Sequence, residues 1–357
     1  MKIRFCSPVK SHMGYAELGR IVINQLVHAG FDVTVVEIPI EGSAADFGEL
    51  GAQAERLIGK ADSADVNIVN MIPPLFARYC LAGARNIGYT TFESDRIPAT
   101  WVGQCNQMDA LWVQAEWVRD VFTASGVVVP ISVVGVDAIP RPAVPPADGP
   151  FRLLSIFQWS ARKNPVNLIR AYCAAFDGNK DTVLTLKTHR GTDPGKNASF
   201  VRNAINRCLS LSRPSRAMPR IEVATDFFSS RQIQQLHAHS HAYVSLAHAE
   251  GWGLPAWEAT LAGKPVIHTG WSAPTEFVHQ QGMLKYNLSP VYGMEDFVPV
   301  YDIGMNWAEP HLDDAVAKLR DLYANYAQWT RNSLAQRQLV NDKYSLARRV
   351  EQIKAAI

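Results

Sequence analysis

Glu250-Gly251-Trp252-Gly253-Leu254-Pro255-Ala256-Trp257-Glu258 is the stretch on which the reading of this 357-residue chain turns. The apolar run Ala242–Leu246 before it is expected as a strand, and Pro255–Ala262 after it as a helix. Pro255 suits a first helical turn and Gly263 a helix end. The backbone N–H groups just before Pro255 therefore have no intrahelical partner. They point into the crevice at the strand end, where anions and hydroxyls are held. The glycines let a ligand approach the backbone closely. Glu250 precedes the helix and Glu258 lies about one turn inside it, so the two carboxylates reach one ligand at different depths. Alone, two such acids would cap or salt-bridge a helix start. Flanking Gly-Trp-Gly at a strand–helix junction, they point to a binding site.

Upstream, Ser155-Ile156-Phe157-Gln158-Trp159-Ser160-Ala161-Arg162-Lys163-Asn164-Pro165 repeats the plan. The strand Arg152–Phe157 runs into a loop with two adjacent cations and then into a helix capped by Asn164 and opened by Pro165. Arg grips phosphate oxygens bidentately, Lys adds a movable point charge, and the helix start adds partial positive charge. Cations at the carboxyl end of a strand favour phosphate binding over a solvated basic turn.

The same alternation fills both halves. Strands are expected at Ile3–Cys6, Asp32–Ile38, Val66–Ile72, Asn86–Phe92, Ala110–Gln114 and Ile131–Val136, with helices at 15–29 and Trp117–Ser125. Further strands are expected at Val183–Lys187, Ile221–Ala224 and Pro265–His268, with helices at 198–211 and 229–239 and a helical tail over 312–357. Between the halves, Asp137–Pro150 carries Pro140, Pro142, Pro145, Pro146 and Pro150, which reads as a stiff linker. The expected class is α/β: two Rossmann-like βαβ domains at 1–136 and 151–340, a linker at 137–150, and a final helix in 341–357. Ligands of such sheets bind at the carboxyl ends of the strands, which here would line a shared central cleft.

Composition narrows the function. The formal net charge of +2 suggests neither a nucleic-acid nor a membrane partner. Lys187, Arg190, Lys196, Arg202, Arg207, Arg213, Arg216 and Arg220 crowd one stretch, read as a solvated face, with an anionic acceptor surface as the minority reading. Cys6, Cys80, Cys105, Cys173 and Cys208 have no metal-type spacing and suit a reducing compartment. His12, His189 and His268 have no ligand-like spacing either. No opening stretch reads as a signal peptide and no apolar run reaches the ~20 residues of a membrane span. The expectation is a cytoplasmic protein, compatible with peripheral docking at a membrane.

The Glu250…Glu258 motif resembles the signature of retaining glycosyltransferases of the GT-B fold, in the large group 1 family of sucrose- and mannosyl-transferring enzymes. Phe157–Pro165 resembles that family's phosphate loop. Thr90–Arg96, Ala110–Val113, Trp271–Phe277 and Trp307–Pro310 extend the likeness over nearly the whole chain. The resemblance implies that Glu250 contacts donor sugar hydroxyls and that the N–H groups of Gly251, Trp252, Gly253 and Leu254 hold sugar or phosphate oxygens. It implies that Glu258 bonds the ribose and that Lys163 neutralises the leaving diphosphate. Many members carry Arg where this chain has Gln158, and Arg162 is the candidate replacement. In the first half, the Lys10–Tyr15 turn would approach donor or acceptor, with Gly14 giving the closeness. Tyr15 and Glu93 are candidate acceptor-binding residues; for Glu93 the plain alternative is a pair with Arg96.

The implied reaction moves a sugar from a nucleotide-sugar donor, UDP- or GDP-linked, to a hydroxyl acceptor on a glycan, lipid-linked glycan, protein or small molecule. It retains anomeric configuration and needs neither metal nor further cofactor. The rival readings are a nucleotide-sugar 2-epimerase of the same fold and a non-catalytic sugar-nucleotide sensor.

Overall fold

The computed structural model describes residues 1–40, 46–139, 148–191, 194–212, 218–294, 300–302 and 304–357. The chain divides into two compact units. One is Met1–Ile139 with Phe227–Arg231 and Asp342–Ile357; the other is Pro140–Asp226 with Gln232–Asn341.

The first unit is built on a parallel sheet of six strands: β1 (Lys2–Ser7), β2 (Asp32–Glu37), β3 (Val66–Asn70), β4 (Arg85–Tyr89), β5 (Ala110–Val113) and β6 (Ile131–Val133). Between them run the helices α1 (Gly14–His28), α2 (Gly48–Arg56), α3 (Phe76–Tyr79), α4 (Ala99–Cys105) and α5 (Glu116–Ala124). The central strands are buried along their length, which is why β3 and β5 read as continuous runs rather than alternating ones.

The second unit repeats the design with β7 (Phe151–Gln158), β8 (Thr182–His189), β9 (Arg220–Ala224), β10 (Ala242–Ser245), β11 (Val266–Thr269) and β12 (Met283–Leu284), again all parallel. Its helices are α6 (Pro165–Ala175), α7 (Pro194–Ser212), α8 (Ser230–His239), α9 (Leu254–Leu261), α10 (Leu312–Ala324) and α11 (Tyr326–Lys343). An antiparallel pair, β13 (Tyr286–Pro290) and β14 (Asn306–Pro310), stands apart from the sheet. The last helix, α12 (Leu346–Ala356), packs on α1 of the first unit. There Arg349 Nε donates to the Val136 carbonyl at 3.2 Å, and Gln25 Nε2 donates to Asp137 Oδ1 at 2.7 Å.

Strand order locates the binding crevices. The first sheet runs β2-β1-β3-β4-β5-β6, so the chain leaves β1 for one side and later crosses to the other, and the switch point lies between β1 and β3. The second runs β12-β11-β10-β7-β8-β9, with its switch point between β7 and β10. Loops leaving those strands open a crevice at each point.

Several expectations need correction. The strands expected to reach Ile72, Phe92 and Val136 end at Asn70, Tyr89 and Val133. Met71 and Phe92 are apolar because they are buried, not because they pair in the sheet. Glu93 therefore lies four residues beyond β4, in a loop, and Arg96 meets Asp95 at 3.6 Å. The helices α2, α3 and α4, the short strand β12 and the β13–β14 pair were not expected. Lys187 does not belong to a solvated face: it is buried on β8, and burial lowers its pKa to about 8. Most of the Asp137–Pro150 linker, and Arg213 and Arg216, lie outside the described residues. None of the cysteines is disulfide-bonded, and burial pushes the Cys6 and Cys105 thiols up to about 12, leaving them unreactive. Among the described residues no helix is long and apolar enough to cross a membrane.

Candidate active site

The second switch point gathers the charged residues. A single 3-10 turn, Ala161–Lys163, follows β7 and carries both cations. Asn164 then takes a left-handed conformation (φ 51°), which turns the chain into α6 with Pro165 in the first turn; it stands at the N-cap position as expected, but its side chain makes no capping hydrogen bond. On the β10 side, Gly253 stands at φ 86° as the N-cap of α9. A Cβ there would be strained by the backbone and would meet Pro274 at 3.3 Å, so glycine is required.

Glu250 joins the two loops. Its Oε2 lies 3.1 Å from Arg162 Nη1, and its Oε1 accepts from Lys163 Nζ. Arg162 Nη1 also donates to the Ala249 carbonyl at 2.8 Å. All three side chains are 11–17% exposed, shielded but reachable. Burial alone would raise the Glu250 pKa. The ammonium of Lys163 and the guanidinium of Arg162 outweigh it and bring the carboxyl down to about 2. Next to it, His268 on β11 is kept neutral by burial, although Glu250 pulls the other way.

The backbone of Glu250 is anchored as well. Its N–H donates to Ser272 Oγ at 3.0 Å. Ser272 sits at φ 65° and ψ −169°, a conformation that costs a non-glycine residue about 1–3 kcal/mol. Thr275 holds it there, donating from both N (3.1 Å) and Oγ1 (2.8 Å) to the Ser272 carbonyl.

The remaining motif residues divide. Gly251 and Gly253 are buried in the turn, and Leu254 opens α9, so the first N–H groups of that helix lack intrahelical partners. The Trp252 side chain packs against Trp257 and Phe277, at ring distances of 5.4 and 5.1 Å, so only its backbone is left for a ligand. Glu258 does not join the ion cluster. Its Oε2 lies 3.3 Å from Nε2 of the buried His237 on α8.

In the first unit, Gly14 and Tyr15 open α1 directly after the loop that leaves β1. A Cβ at Gly14 would meet nothing within 4 Å, so protein packing does not require glycine there. Tyr15 Oη lies 3.0 Å from Thr90 Oγ1 and accepts from the Thr91 N–H at 3.3 Å. Asn70, at the end of β3, donates to Ser7 Oγ (2.9 Å) and to the Tyr15 carbonyl (2.7 Å). Burial raises the Tyr15 pKa, and the charge of Glu93 adds to that shift, so the phenol stays protonated. His12 lies edge-on to Phe47 and stacked on Phe227 of the same unit, as a packing histidine would.

The sequence alone did not single out Asn70 or Ser272, and it gave His268 as an ordinary histidine without its place beside Glu250. Asn70 had a usable signal, a polar residue ending an apolar strand. Ser272 lay within the quoted Trp271–Phe277 stretch, but its backbone conformation carries no sequence mark.

No described protein family and no curated protein matches the chain by sequence. Solved structures do. The sucrose-phosphate synthase of Thermosynechococcus elongatus superposes with a TM-score of 0.65 at 12% identity, covering 100% of this chain and 98% of its own. The lipopolysaccharide outer core galactosyltransferase WaaB gives 0.61 at 14% identity, with 100% of both chains covered. S. aureus TarM, solved with fondaparinux, alpha-GlcNAc-glycerol and UDP, gives 0.61 at 14% identity over 81% of this chain, which spans 54% of TarM. At such identities the likeness shows architecture, and the architecture is the GT-B fold, two parallel six-stranded α/β units.

Proposed function

We propose that this chain is a glycosyltransferase that takes a sugar from a nucleoside-diphosphate sugar and delivers it to a hydroxyl acceptor. The observation that carries the reading is the Glu250–Arg162–Lys163 cluster at the β7/β10 switch point. A carboxylate that pairs with both cations holds them ordered until an incoming diphosphate engages them. As the glycosidic bond breaks, charge builds on the leaving diphosphate. Lys163, Arg162 and the starts of α6 and α9 neutralise it. Glu250 then accepts from donor sugar hydroxyls, and Glu258 from the ribose. The hydroxyl-rich set Tyr15, Thr90 and Glu93 in the first unit takes the acceptor. Several structural neighbours were solved with UDP or a UDP sugar, which makes a uridine donor the first to try. With the protein's own cations in place, the reaction requires no divalent ion. Retention of configuration follows if acceptor and leaving group use the same face of the sugar, with no enzyme carboxylate attacking it.

A thermal-shift series with UDP, GDP and ADP and their sugars tests the reading. A cognate nucleotide at 100 times its Kd adds about 2.7 kcal/mol of stability. Transfer should survive EDTA. No shift with any nucleotide would sink the proposal. Conversion of the donor alone into its epimer would replace it with the 2-epimerase reading, and binding without turnover on any acceptor with the sensor reading.

A further inference from the structure

The turn that carries Arg162 and Lys163 is held from behind. The His248 N–H, two residues before Glu250, donates to the Arg162 carbonyl at 2.8 Å. Gly293 stands at φ 66°, and a Cβ there would come within 2.8 Å of Ala161 Cβ, so this segment presses on the residue preceding Arg162. A small apolar cluster of Ala249, Met294 and Trp307 packs with Ala161 and Val291.

A polar network fixes this support. The buried His248 ring stacks on Trp307 at 4.3 Å and 12°, and its Nδ1 lies 2.9 Å from the Ala308 carbonyl. Tyr292 Oη lies 3.2 Å from His248 Nε2 and donates to Glu309 Oε2 at 3.0 Å. The other carboxylate oxygen of Glu309 accepts from Asn167 Nδ2 at 3.0 Å, in the first turn of α6. Burial keeps the imidazole neutral. Nδ1–H then donates to Ala308, and Nε2 is left as an acceptor. The single phenolic proton of Tyr292 thus faces two acceptors. Burial, together with the charge of Glu309, keeps that proton in place. Glu309 therefore ties β14 to the helix that follows the cationic turn, while His248 ties it to the strand-end loop that leads to Glu250.

We propose that Tyr292, His248 and Glu309 are positioning residues that set the Arg162–Lys163 turn and through it the affinity for a nucleoside diphosphate. This inference rests on the donor reading above. Its test compares variants in two backgrounds. Tyr292→Phe removes one hydroxyl and keeps the ring; Glu309→Gln keeps the shape and loses the charge. Binding of UDP, GDP or ADP, whichever the wild type takes, is measured by calorimetry alongside Tm. Each change should weaken binding by about five- to tenfold, the loss of a hydrogen bond to a charged group transmitted in part, with Tm lowered by no more than about 4 °C. In an Arg162→Ala/Lys163→Ala background, where no cation remains to be positioned, the same changes should shift affinity less than about twofold. Unchanged affinity in the first background, or an equal loss in the second, would overturn the proposal. A wild type that binds none of the three nucleotides would overturn the donor reading and this inference with it.

Discussion

Each unit carries an arginine at its switch point, and the two are used in opposite ways. Arg20 in the first unit is 2% exposed and committed to the fold. Its Nη1 donates to the Val9 and Ser11 carbonyls at 2.6 and 3.1 Å, its Nη2 meets Glu17, and its guanidinium lies 4.0 Å from the centre of the Phe47 ring. Arg162 in the second unit, like Lys163 beside it, is partly exposed and faces a carboxylate that a ligand can reach. In the first unit Arg20 thus shapes a loop, near the Tyr15 and Thr90 hydroxyls, the Asn70 amide and the charge of Glu93. In the second unit Arg162 and Lys163 share the single carboxylate of Glu250. The same βα architecture ties a cation to backbone carbonyls in one place and to a reachable carboxylate in the other, according to what the cation's donors are bonded to.

The largest expected effect is at Glu250. Glu250→Gln should lower kcat by roughly 10²–10³, as for one lost transition-state contact, with the protein still folded. Its folded pKa of about 2 lies below the ordinary carboxyl value. The ion cluster therefore contributes about 3 kcal/mol above pH 4.5, lost as pH falls toward 2. Acid denaturation of wild type and variant should differ in that window. Normal turnover in a folded Glu250→Gln protein would erase the contrast between the units.

Glu258→Gln should be milder. The ribose does not change during transfer, so the loss should appear as about a tenfold rise in donor KM at nearly constant kcat. If Glu258 serves only His237, Tm falls instead and KM stays.

Tyr15→Phe sharpens the comparison from the other side. Removing the hydroxyl should raise acceptor KM by about threefold to tenfold and leave nucleotide affinity unchanged. A weaker donor affinity would show that the first-unit crevice also reads the donor.

The last effect is on stability alone, with none expected on turnover, and should have the opposite sign. Lys187→Met removes a buried ammonium whose pKa is lowered to about 8. Charging that group in the folded state costs stability below pH 8, and the cost fades as pH rises to 10.5. The variant should gain about 1–3 kcal/mol at pH 7 and nothing near pH 10.5. Destabilisation at pH 7 would mean that attraction to Asp226 and other contacts in the fold outweigh the cost of burial.

The alternation of apolar strands with amphipathic helices determined the α/β class, and two such series determined two sheets. The Gly-Trp-Gly turn before Pro255 and the helix start at Pro165 were legible because glycine and proline act locally, through φ and the missing N–H; the left-handed conformation of Asn164 was not. The ends of β3 and β4 were not legible, since Met71 and Phe92 are equally apolar whether they pair or only pack. The β13–β14 pair escaped for a similar reason: Trp307 of β14 stacks on His248, 59 positions earlier in the chain, a contact that no local pattern marks. The two acids of the motif looked alike in sequence. Only the fold decided that Glu250 meets two cations from 87 or 88 positions away while Glu258 meets a buried histidine. Helix and strand periodicity is written in neighbouring residues, whereas charge pairing and pKa are set by groups that meet only when the sheet orders its strands.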